Sequence, residues 1–104
     1  MPSQSTLDLI EFLRSIPPGR VISYGRAGEL AGLPGGAASA RQVVRILSSM
    51  SRSHDLPWWR ILRKDGSIAL SEGSGKELQA ELLKAEGVEV DEAGRVDMGR
   101  YGLG

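Results

Sequence analysis

Not one of the 104 residues is a cysteine. A chain this short, with no disulfide and no thiolate metal site to staple it, has to be held together by apolar burial. Hydrophobic residues make up 40% of it, enough for one modest core, so a single domain is expected. The same absence excludes thiolate chemistry. His54 is the only histidine, which leaves too few ligands for a histidine metal site, and no metal or cofactor is expected. No apolar run approaches the length of a membrane span. Met1–Ser5 has neither the basic stretch nor the apolar segment of an export signal, so the expectation is a cytoplasmic protein.

Ser5 with Asp8 three residues on reads as a helix start, and Leu7, Ile10, Phe12 and Leu13 follow at helical spacing until Pro17-Pro18-Gly19 ends the run. Val21–Tyr24 is a short extended stretch, Gly25 to Ala31 a second, short helix, and Gly32-Leu33-Pro34-Gly35-Gly36 a turn. Ala37 to Met50 is a third helix with two stripes: Val43, Leu47 and Met50 are apolar, whereas Arg41, Arg45, Ser48 and Arg52 are polar and mostly basic. Arg60–Arg63 and Ser67–Leu70 read as two strands around Lys64-Asp65-Gly66, whose Asp-Gly pair suits a hairpin. Lys76 to Glu86 is a fourth helix with Leu78, Leu82 and Leu83 inward, Gly87 is its cap, and Val88–Val90 a short strand. The expected domain is 1–92, and the glycine-rich segment 93–104 is expected to be a loose tail. Helix, short helix, turn, basic helix and hairpin is the order of a winged helix-turn-helix: mainly α, with a small β-hairpin wing.

The net charge is zero, but it is unevenly spread. Residues 41–71 carry six basic side chains against two acidic ones, and residues 72–92 carry seven acidic against two basic. One basic surface suits phosphate contact, although ordinary scatter of surface charge accounts for the pattern equally well. Two further features stand out. The only tryptophans are adjacent, in Pro57-Trp58-Trp59-Arg60. In an extended segment both cannot enter one core, so at least one should face a pocket or the surface. The small residues Ala38-Ser39-Ala40 lead into Arg41 near the start of a helix, where they would let a helix approach a nucleic-acid backbone. Either feature alone is better explained by packing or an ordinary solvated side chain.

Together they resemble one family. Val21-Ile22-Ser23-Tyr24, Ala40-Arg41-Gln42-Val43, Pro57-Trp58-Trp59-Arg60, Ile61–Gly66 and Leu82–Gly87 follow, in order, the pattern of the DNA-binding and active-site domain of O6-alkylguanine-DNA alkyltransferases. Residues 5–90 are covered. The departures are chemical. Trp58 stands where the family has its alkyl-accepting cysteine, and Trp59 where it has the activating histidine. An indole is neither nucleophile nor base near neutral pH, so alkyl transfer is not expected. Glu86 matches the carboxylate that orients the histidine, and is expected to pair locally instead. Tryptophan in place of the nucleophile resembles the alkyltransferase-like proteins, most of which keep the histidine that Trp59 replaces here.

The resemblance implies binding of double-stranded DNA containing O6-alkylguanine, from the minor groove, by a monomer that rotates the lesion into a pocket. It implies a lesion pocket of Tyr24, Trp58, Trp59, Ile61 and Ser71, with Arg41 filling the gap in the stack. Further DNA contacts would come from Ser39, Ala40, Gln42, Arg45, Arg60, Arg63 and Lys64. It also implies that nucleotide excision repair proteins read the complex. A winged-helix transcription regulator is the alternative, but Ala37, Ala38, Ser39 and Ala40 are poor readers of base edges and no dimerisation helix is visible. An enzyme using Tyr24, Ser23 or Ser71 lacks a neighbouring base, and a protein-binding module would use Trp58-Trp59 as its hot spot.

Overall fold

A computed structural model describes residues 3–34 and 36–103; Gly35 of the expected turn, the first two residues and Gly104 lie outside them. Contacts divide the chain into two compact units, one of residues 1–16 and 24–58, the other of residues 17–23 and 59–104.

The first unit holds three helices. α1 is Gln4–Arg14, α2 is Tyr24–Leu30 and α3 is Ala37–Met50. The cap of α1 is Ser3, not the expected Ser5: its Oγ accepts the Thr6 N–H at 3.2 Å. Leu9, Ile10 and Leu13 are the buried stripe of that helix. α3 has the expected bounds, but its buried face is Ser39, Val43 and Ile46, while Leu47 and Met50 are only half-buried. The face is rotated because α2 comes very close at one point. A methyl group on Gly28 would lie 2.8 Å from the Ser39 Cβ, so the helices meet glycine to serine. Arg41, Arg45, Ser48 and Arg52 are all exposed, as the basic stripe requires.

The second unit is built on a two-stranded sheet. β1 (Ile22–Ser23) pairs with β2 (Ile61–Leu62) in parallel, Ile22 opposite Ile61 and Ser23 opposite Leu62. The expected hairpin is thus reduced to its turn. Gly66 takes φ 88°, as the Asp-Gly pair foretold, and Arg63 N–H donates to Ser67 O at 3.0 Å, but no ladder extends beyond it. Ser67 instead bridges Arg95, antiparallel. Val21, Leu62, Ile68, Leu83, Val88 and Val96 form the core of this unit. α4 is Lys76–Ala85. It buries Gln79 and Leu83 and leaves Leu78 53% exposed, so its inward face is one residue out of phase with the leucine reading. Val88–Val90 is not a strand; Val88 N–H closes the helix end on Leu83 O.

The segment after 92 is not loose. Val96 is 2% exposed, and Met98 and Tyr101 pack on the core. α5 (Met98–Tyr101) is capped by the Asp97 carboxylate, which accepts from the Gly99 and Arg100 N–H groups. Val21 N–H donates to Tyr101 O, and Leu103 N–H to Val21 O. Glycines at 94, 99 and 102 dilute the pattern, but these backbone bonds and three apolar anchors hold it.

Candidate nucleic-acid interface

In the first unit, α2 begins at Tyr24 and α3 presents Arg41 and Arg45 four residues apart on its exposed side. Tyr24, Ala40, Arg41, Val44 and Arg45 line one shallow depression of about 400 Å³. So three of the expected DNA-facing residues and the expected tyrosine share one surface. Gln42 is half-buried. Ser39 does not belong to this surface. It is 3% exposed, and no hydrogen-bond partner meets its Oγ, because the close approach of Gly28 turns it inward. An exposed phosphate donor is therefore not available there. Replacing Ser39 with alanine removes an unpaired buried hydroxyl and should leave stability equal or about 1 kcal/mol higher, with DNA affinity unchanged. Denaturant titration and a gel shift check both.

The turn Trp58–Arg60 is 3-10 rather than extended, and both indoles are half-buried. Glu86, the C-cap of α4, is the centre of the polar contacts here. It accepts from the Trp59 indole N–H at 2.9 Å, from the Gly19 backbone N–H at 3.0 Å, and from Arg60 through Nε at 3.0 Å and Nη2 at 2.5 Å. The Arg60 and Glu86 side chains are only 12% and 14% exposed. Burial pushes the Glu86 carboxyl up, but Arg60, the Gly19 N–H and the Trp59 N–H outweigh it and hold it below the ordinary glutamate range. The Arg60 guanidinium also lies 5.0 Å over the Trp59 ring. The expected local pairing of Glu86 is therefore present. It occupies Arg60, which corrects the expectation that this arginine meets phosphates.

Gln79 completes the arrangement and was missed by the sequence reading. Its amide donates to the carbonyls of Trp59 at 3.0 Å and Ile61 at 3.2 Å. A buried amide in a leucine-rich helix leaves no trace in hydropathy; only the out-of-phase Leu78 hints at it. Ile61 has no exposed surface and supports the strand rather than a pocket wall. Arg63 and Lys64 are exposed at the turn, and Ser71 is exposed before α4. Among the described residues no group of acidic and histidine side chains could hold a metal, and no helix is long and apolar enough to cross a membrane.

The family model of the 6-O-methylguanine DNA methyltransferase DNA-binding domain matches residues 5–88. The chain belongs to this family. It is similar to the DNA base-flipping protein of Vibrio parahaemolyticus, 34% identical over 94% of each chain. It is also similar to Alkyltransferase-like protein 1 of Schizosaccharomyces pombe, 30% identical over 85% of this chain and 77% of that one. In fold it matches S. pombe Atl1 in complex with damaged DNA containing O6-carboxymethylguanine, with a TM-score of 0.83 over 100% of this chain and 99% of that one, at 24% identity. The mainly helical architecture with one small sheet is thus that of the alkyltransferase DNA-binding domain.

Proposed function

We propose that this protein binds O6-alkylguanine in double-stranded DNA, rotates the nucleotide out of the stack and does no chemistry on it. The observation that carries the reading is the surface of Tyr24, Ala40, Arg41 and Arg45 in a family member whose sequence holds no cysteine. Arg41 is the side chain that fills the gap left by the rotated base, and Tyr24 crowds the backbone and favours rotation. Flipping costs a few kcal/mol, least for a base already weakly paired. O6-alkylation weakens pairing to cytosine, so the lesion itself favours its own extrusion. Stacking on an aromatic ring returns about 1–3 kcal/mol per base. Trp58 is the ring we assign to that contact. Trp59 holds the turn through Glu86.

Arg45, Arg63 and Lys64 are the side chains assigned to phosphate contacts. With a net charge of zero, sequence-independent binding is weak and falls with salt. The protein acts as a monomer, and the bent, unreacted complex is the feature that nucleotide excision repair proteins recognise.

The deciding experiment compares two matched duplexes, one with a single O6-methylguanine and one with guanine. The parent should prefer the lesion duplex at least about tenfold, and Arg41→Ala should lose most of that preference, about 1–2 kcal/mol. The recovered DNA should keep its alkyl group. Equal binding of the two duplexes by the parent would sink lesion recognition.

A further inference from the structure

One lining residue of the Tyr24 depression has no place in the reading above. Val44 is 45% exposed, one of few large apolar side chains left in water, and it lines the depression together with Arg41 and Arg45 of α3. Ala40 and Tyr24 line it too. An aliphatic side chain that shares one depression with two arginines matches a ligand that alternates anionic and carbon-rich elements at short repeat. A DNA strand does so: phosphates meet the arginines, and the deoxyribose between them presents C–H faces. A β-branched side chain on a helix is stiff, so Val44 meets such a face with little ordering cost.

We infer that Val44 is a DNA-contacting residue that packs on the deoxyribose of one strand, adding affinity that depends on neither charge nor base sequence. This rests on the proposal that the α3 surface binds DNA, but not on lesion preference. The residue is 45% exposed, so its variants should melt within a few degrees of the parent, which melting curves check.

The test uses Val44→Ala and the near-isosteric Val44→Thr on both duplexes above, in two flanking sequences and over a salt series. Losing one to two buried methyl groups should weaken binding about fivefold. The loss should be equal for lesion and guanine duplexes and for both flanking sequences. The slope of log affinity against log salt should stay unchanged, whereas Arg45→Ala should lower it by about one. Parent-like affinity in both variants overturns the inference. A loss confined to one flanking sequence also overturns it, because that is contact with a base edge. If the parent shows no lesion preference but the Val44 variants still bind both duplexes more weakly, lesion recognition fails and the sugar contact stands.

Discussion

Gly66→Ala should be the most damaging single-methyl change in the second unit, lowering stability by about 3 kcal/mol and the melting temperature by about 15 °C. Two costs coincide there. The backbone sits at φ 88°, where an L side chain costs about 1–2 kcal/mol. The added Cβ would also run into the carbonyl oxygen of Val96, a backbone atom that cannot swing aside. Moving that carbonyl threatens the Val96 N–H to Gly66 O bond of 2.9 Å and the 2%-exposed Val96 side chain. Gly32→Ala is the control. Its φ is 95° but nothing lies within 4 Å of the new methyl, so about 1 kcal/mol should be lost. Similar losses for the two variants in a circular-dichroism melt would show that the contact with Val96 carries no weight.

Glu86→Gln should cost about 2 kcal/mol, because it leaves Arg60 as a largely buried cation facing a neutral amide. It should also change the acid limb of stability. The Glu86 carboxyl is held below its ordinary value of 4.5, so the folded state binds its proton less readily than the unfolded chain. A depressed carboxyl contributes stability that is complete above the unfolded value and is lost as pH falls through the folded one. The parent should therefore lose stability as pH falls below the ordinary glutamate range more steeply than the variant, and the two curves should converge once the carboxyl is protonated in the folded state as well. Parallel curves in urea titrations over that range would mean that the Arg60 and Trp59 contacts do not outweigh burial. Asp65, whose carboxyl is also lowered by Ser67, is exposed and contributes to the same limb in both proteins.

Local patterning was readable where one residue type dominates a face. α3 came out with its bounds because glycines precede it and its basic stripe repeats every three to four residues. Asp65-Gly66 announced its own turn. What stayed hidden depends on distant partners. β2 pairs with a strand 39 residues earlier instead of with its sequence neighbour, as Ile22 opposite Ile61 shows, and no local rule selects that partner. Gln79 is polar, yet it is the buried member of α4 because two carbonyls of the Trp59 turn require a donor. The family resemblance points Ser39 toward DNA; only the closeness of Gly28 turns it inward. For the candidate interface, the family resemblance points to Tyr24, Ala40, Arg41 and Arg45 and the structure brings them together, whereas Arg60 is taken up by Glu86 and Val44 carries no sequence signal of its own.

The order in which the second unit is assembled along the chain has a consequence for how the protein is made. Its first piece, residues 17–23, is synthesised after α1 but before residues 24–58 of the helical unit, and its remaining piece only afterwards. Val21 then waits for Tyr101 and Leu103, eighty residues on, before its backbone groups are paired. On the ribosome, the helices of residues 24–58 can form from local contacts while this strand stays unsatisfied until residues 101–103 emerge. A chain stopped at residue 92 would leave the strand without these partners, so residues 93–103 act as a latch on it.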